Sequence, residues 1–158
     1  MVDNFNEKAD FIWSIADLLR GDYKQSEYQK VVLPLTVLRR LDCVTERNKD
    51  EVLERHDQLQ EQGIENVAPS LKKAADAEVY NTSEYTFESL CNDPDNIAEN
   101  LQYYINQYDN ETREIFEKFD FDHQIQRLDD ADLLYKVVRQ FAEIDLHPDE
   151  IGRASCRE

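Results

Sequence analysis

Glycine is nearly missing from this chain: three residues in 158, at Gly21, Gly63 and Gly152. That scarcity excludes the glycine-rich loops that cradle phosphates or dinucleotides, and it argues against a turn-dense all-β fold. Cysteine is scarce as well. Cys43, Cys91 and Cys156 are odd in number and widely spaced, which fits reduced thiols in a cytoplasm better than a disulfide framework. No run of about 18 apolar residues exists, so no segment reads as a membrane span. Met1-Val2-Asp3-Asn4 lacks the basic and apolar segments of a secretory leader. His56, His123 and His147 stand apart from one another and from the cysteines, without the i, i+4 or C-x-x-C spacing of a metal site. No G-x-S-x-G, H-E-x-x-H or P-loop occurs, and acidic pairs such as Asp129-Asp130 are too common here to single out an acid–base site.

Basic charge is in short supply too. Eighteen Lys and Arg face thirty-five Asp and Glu, for a net charge of -17. The deficit is uneven: residues 1–50 hold eight basic and nine acidic side chains, and residues 51–158 hold ten and twenty-six. Nucleic-acid binders ordinarily present a basic footprint, because neutralising phosphate supplies most of the affinity. A domain this acidic should not grip DNA tightly by itself, and its acidic surface either keeps it soluble or docks on a basic partner.

What the chain does have is helical periodicity. Phe5, Ala9, Ile12, Ala16 and Leu19 form an apolar stripe behind Asn4 and Glu7, which match a capping box, and Phe11, Trp13, Ile15 and Leu18 widen it toward burial. Gly21 ends that helix, so Arg20-Gly21-Asp22 reads as a helix terminus rather than an adhesion motif. Ser26 and Gln29 form a second capping box before Val31, Leu35, Leu38, Leu41 or Asp42, and Thr45, with Pro34 expected to kink or break the run. Cys43 on this helix reads as a small buried apolar residue. Glu46 to Gln62 reads as an exposed helix closed by Gly63. Pro69 starts a short helix through 72–77, and Tyr80–Phe87 has strand-like or loop chemistry. Asp93-Pro94 opens a helix carrying Ile97, Leu101, Tyr104 or Ile105, and Tyr108; Asn110 caps another with Ile115, Phe116 and Phe119. Ile125 and Leu128 belong to a short helix, and Asp129 or Asp130 starts a last one that stops before His147-Pro148. The expectation is an all-α, single compact domain of six to eight helices over residues 1–150, with no sizeable sheet. Residues 151–158, Ile-Gly-Arg-Ala-Ser-Cys-Arg-Glu, break the acidic composition and match what a common sequencing adaptor encodes in one reading frame. They are expected to be a non-native tail, with the natural residues ending at Glu150 in a fragment of something longer.

The one suggestive cluster is basic. Lys24, Lys30, Arg39 and Arg40 lie around the first two helix ends and along the second helix, beside Tyr23 and Tyr28. Such combinations contact phosphates and the faces of bases or sugars, although Arg39 and Arg40 can equally pair with Asp42 and other acids. The contact candidates are Lys24, Lys30, Arg39, Arg40 and Tyr28, for DNA or for a partner.

Two long runs then carry a resemblance: IWSIADLLRGDYK from Ile12 to Lys24 and YQKVVLPLTVLRRLDCV from Tyr28 to Val44. It resumes at Tyr85-Thr86-Phe87, at Asn92–Ala98, at Ile115–Phe121 and at Phe141–Leu146, so that it covers essentially residues 5–150 in order and spacing. The chain resembles the amino-terminal domain of the modification (M) subunit of type I restriction–modification systems. The resemblance implies a helical domain that precedes a Rossmann-like catalytic domain. That catalytic domain moves a methyl group from S-adenosylmethionine to N6 of adenine in DNA. It also implies a specificity subunit that reads the target, a second M subunit, a restriction subunit in the full complex, and double-stranded DNA closed in by the helical domain. The catalytic motifs are not in this sequence. Asn92-Asp93-Pro94-Asp95 lacks the second proline and the aromatic needed to hold a flipped adenine, and it reads as a helix cap. This chain is therefore expected to bind no cofactor and to be catalytically silent. The alternatives are a free-standing acidic helical adaptor for a basic protein partner and, least supported, a small hydrolase.

Overall fold

The computed structural model of the chain describes residues 2–144, with side chains from Ala9 onward. Nine α-helices follow one another among the described residues. They are α1 (Val2–Leu19), α2 (Gln29–Glu46), α3 (Lys49–Glu61), α4 (Ala68–Ala75), α5 (Phe87–Leu90), α6 (Ile97–Asn106), α7 (Asn110–Lys118), α8 (Phe121–Asp130) and α9 (Leu134–Glu143). Turns of 3-10 helix at Gln25–Glu27 and Pro94–Asn96 lead into α2 and α6. Among the described residues no strand forms. The Tyr80–Phe87 stretch is a loop with an isolated bridge from Asn81 to Tyr108, and the one-turn α5 starts at its end. The fold is all-α, and α5 is the element that takes the tally past the expected eight.

Several helix ends differ from the sequence expectation. Because α1 starts at Val2, Asn4 lies within the helix rather than ahead of it. The side chains of Asn4, Phe5 and Glu7 fall outside the described residues, as do His147-Pro148 and the tail 151–158. Ser26 caps nothing: the chain is already helical at Tyr28 (φ -57°, ψ -38°), without the extended backbone that a cap needs. Glu27 holds that turn instead, its Oε1 accepting from the Lys24 N–H at 2.9 Å. Pro34 neither breaks nor interrupts α2, which runs continuously through it with the ring buried. Asp109, not Asn110, caps α7 through the Thr112 N–H (3.2 Å). Asp93 leaves the backbone uncapped and binds the Asn96 and Asn100 side-chain amides. Asp129 and Asp130 end α8 rather than start α9. The chain turns through Asp132 in the left-handed region (φ 61°), and the Leu133 N–H reaches back to Leu128 O at 2.8 Å.

Most of the buried apolar side chains form one core. Ile15 and Leu19 of α1, Val31, Leu35 and Leu38 of α2, and Phe87 pack with Leu101, Tyr104, Ile125, Leu128, Val138 and Phe141. A second, smaller core corrects the reading of residues 46–62 as exposed. Val52 and Leu59, seven residues apart on one face of α3, meet Leu71 and Ala75 of α4, with Tyr80 beside them. Two apolar residues suffice there because α4 supplies the other half of the seam. The expected α1 stripe is only partly inward: Leu19 is buried, but Ile12 and Trp13 are 59% and 66% exposed. Phe11, Ile15 and Leu18 take the inner face instead, and Phe11 stands edge-on to Phe141 at 4.8 Å.

Candidate functional site

The apolar face of α2 carries an acid at its centre. Val31, Leu35, Leu38, Asp42 and Thr45 share one buried side, which places the Asp42 carboxylate, 1% exposed, inside the main core. A buried carboxylate survives only with partners. Asp42 Oδ2 accepts from Arg39 at 2.8 Å and from the Phe87 N–H at 3.3 Å, and Oδ1 accepts from the Tyr104 hydroxyl at 2.7 Å. Tyr108 lies 2.7 Å further along, hydroxyl to hydroxyl. Burial pushes both phenols well above their ordinary range, so both keep their protons. Since Tyr104 spends its proton on Asp42, Tyr108 donates to Tyr104, and the chain of hydrogen bonds runs Tyr108 to Tyr104 to Asp42.

Arg39 closes this network from outside. Its Nε donates to Ile144 O at 2.9 Å and another guanidinium nitrogen to Ala142 O at 3.1 Å, while the group lies 5.7 Å from the Phe87 ring centre. One side chain thus ties α2 to the end of α9 and neutralises Asp42. Lys49 sits against the same network. Its amine is buried without a hydrogen-bond partner and lies 5.7 Å from the Tyr104 ring centre. Burial holds that amine down at about 8 against the opposing pull of Asp42 and Glu46.

The sign of the resulting pH dependence is set by which state binds the proton. Between about 8 and 10.5 the unfolded lysine is protonated and the folded one is not, so stability rises with pH across that window. The burden is present in full below pH 8. Lys49→Met is therefore expected to raise Tm at pH 7 and to flatten the rise between pH 8 and 10, both read by thermal melts. A lower Tm at pH 7 would show that the ring contact and the two acids outweigh the burial.

The basic candidates separate into inward and outward groups. Arg39 faces the core network, its side chain 11% exposed. Tyr28 is half-buried against the main core, and Lys24 and Lys30 are exposed. Arg40 is half-buried, on the opposite side of α2 from the apolar stripe. With about 100° of rotation per residue, Lys30, Leu33, Thr36, Arg40, Val44 and Arg47 share that outer face, and Val37 at its edge packs against the main core. Between Lys30 and Arg40 that face carries two cations and no acid over roughly 15 Å. Leu33, between Lys30 and Arg40, is 51% exposed. The turn leading into this face is braced from α8. Arg127 pairs with Glu27 at 3.1 Å, donates to Asp22 O at 2.8 Å and lies 3.9 Å from the Tyr23 ring centre. The Arg127 hydrogen bond holds the Glu27 carboxyl down at about 2, and the Tyr23 hydroxyl donates to Gln124 at 2.8 Å.

Sequence reasoning missed Lys49, which lay in a stretch read as solvated, and the pairing of Asp42 with Tyr104. The signal for Asp42 was present: an acid at i+4 from Leu38 in an otherwise apolar stripe. Among the described residues no group of three His, Cys, Asp or Glu side chains could hold a metal ion, and no helix is long and apolar enough to cross a membrane. A family model described as the HsdM N-terminal domain matches residues 8–141. No curated protein and no solved structure matches the chain.

Proposed function

Since the chain belongs to the HsdM N-terminal domain family, the amino-terminal region of the type I restriction–modification M subunit, we propose that it serves there as an interaction and DNA-clamping domain. The catalytic work belongs to the rest of such a subunit, which would methylate adenine N6 in DNA with S-adenosylmethionine. The specificity subunit, a second M subunit and, in the full complex, the restriction subunit would assemble around the same duplex. The observation that carries this reading is the outer face of α2. In a chain of net charge -17, that face holds Lys30 and Arg40 without an acid between them. Lys24 lies just before it, in the turn that Arg127 braces. A face of this kind contributes phosphate contacts by releasing counterions and reads no base, so target choice falls to the specificity subunit.

The acidic remainder keeps such a domain from holding DNA alone and makes its grip depend on the assembly. Neutralising Lys24 and Lys30 together (Lys24→Gln, Lys30→Gln) in an assembled methyltransferase tests the reading. The slope of log affinity against log salt should fall by about 0.9 for each phosphate no longer neutralised. Weakening should be equal on target and non-target DNA. An unchanged slope would remove this face from the DNA and favour the alternative, an acidic adaptor for a basic protein.

A further inference from the structure

Helix α1 is apolar on two opposite sides, and among the described residues only one of them is covered. The inner side is Phe11, Ile15, Leu18 and Leu19. Trp13 is rotated by about 200° from Phe11, so it stands on the far side of the helix. There it joins Ala9, Ile12 and Ala16, in steps of three and four residues. Ile12 and Trp13 are two of the few large apolar side chains that remain mostly exposed among the described residues. A spacing of 9, 12–13 and 16 is that of a helix–helix seam, with alanines where a second backbone comes close and large residues between them. One flank of this seam is acidic: Asp10 and Asp17, two turns apart, both lie along it and are exposed. Arg20, at the seam's end, is bound to Asp17 at 2.8 Å.

We propose that the Ala9–Ile12–Trp13–Ala16 face of α1 is the docking seam for an amphipathic helix of a partner protein whose flanking positions carry lysine or arginine. The period of the seam fits a helix rather than a strand or a flat surface. Charge selects the kind of helix. A partner with basic flanks meets Asp10 and Asp17 and approaches a chain of net -17 favourably, whereas a second copy would bring the same acidic flank and another -17 against it. This face lies on α1, apart from the α2 face assigned to DNA, so the two can be occupied together.

Trp13 is the only tryptophan of the chain, which gives the site its own reporter. The probe is a synthetic peptide of about three heptads with leucine at a and d and lysine at e and g, compared with the same peptide carrying glutamate at e and g. The lysine peptide is expected to shift Trp13 emission to shorter wavelength in a saturable way, and the glutamate peptide to leave it unmoved. Ile12→Ser keeps every charge and should weaken the lysine peptide by about tenfold. Asp10→Lys with Asp17→Lys should transfer the preference to the glutamate peptide. Circular dichroism on both variants confirms that the exposed substitutions leave the helices intact. Equal binding to Ile12→Ser, or binding without any change in Trp13 emission, would overturn the proposal. So would a concentration-dependent blue shift of the chain alone with dimers in sedimentation, which would give the seam to a second copy.

Discussion

Asp42→Ala is expected to lower stability by about 3–5 kcal/mol, because removing one member of a buried ion pair leaves the other uncompensated. Three groups lose their acceptor at once: the Arg39 guanidinium, the Phe87 N–H and the Tyr104 hydroxyl. The Phe87 N–H is an end group of α5, so the loop before it loses its anchor to α2 as well. In a chain of this length the change corresponds to a Tm fall of roughly 10 °C or more. Asp42→Asn should cost less, since its single carbonyl oxygen can still accept from one of the neutral donors, but it leaves Arg39 facing a neutral group. Denaturant titration of the three proteins gives the ordering: native above Asn above Ala. A loss below about 1 kcal/mol for Ala would mean that the network relaxes around the gap. The Lys49 amine offers a second reading of the same change. Asp42 is the larger of the two acids pulling its proton affinity up, so in the variants that affinity should fall further below about 8.

The parts of this architecture that were legible in the sequence are those where one face of a helix is apolar and the other is not. Val31, Leu35, Leu38, Asp42 and Thr45 on α2, and Ile97, Leu101 and Tyr104 on α6, are buried at the spacing that the periodicity prescribes. Periodicity fails on α1 for a physical reason. That helix carries apolar side chains nearly all round, and a period locates a stripe without saying which of two stripes the rest of the chain will cover. The stripe with the cleaner three-and-four spacing proved to be largely the outer one. On α3 the failure is the opposite. Val52 and Leu59 are too few to announce a buried face, and their partners Leu71 and Ala75 lie on another helix. Helix ends are set by local backbone geometry, which composition reflects weakly. Asp76, Asp120 and Asp132 all adopt the left-handed conformation where glycine is the usual signal. In a sequence with thirty-five acids, three aspartates carry no punctuation.

The candidate site was legible as residue types and not as directions. Two adjacent arginines in a sequence are equivalent until the helix is drawn, and then about 100° separates them. Asp42, three residues beyond Arg39, lies on the side that Arg39 can reach. Arg40 stands with Lys30, Leu33 and Arg47 on the other. Thus one of the pair belongs to the stability of the domain and the other to its surface, a division that no charge count over residues 1–50 contains.

That division yields the second large effect. Arg39→Glu and Arg40→Glu alter the net charge identically, yet they are expected to give opposite results. In Arg39→Glu the new carboxylate would face the buried Asp42, and the hydrogen bonds to Ala142 and Ile144 would go, so the end of α9 would loosen from α2 and the domain should unfold or lose several kcal/mol. Arg40→Glu should lower Tm by no more than about 4 °C, because a half-buried side chain outside the core network loses only the packing of its stem, about 1 kcal/mol. If the outer face of α2 lies on DNA as proposed, its effect belongs to DNA binding by an assembled methyltransferase. On that reading reversal would replace one phosphate contact by a repulsion, and affinity should fall by about tenfold at moderate salt with a shallower salt dependence. Measuring both properties on both variants keeps the two roles apart, since a weakened DNA grip in Arg39→Glu would follow from unfolding alone. If Arg40→Glu bound DNA as the unaltered protein does, α2 would face a protein partner or solvent. If Arg39→Glu melted as the unaltered protein does, the buried pair with Asp42 would not hold α9 in place.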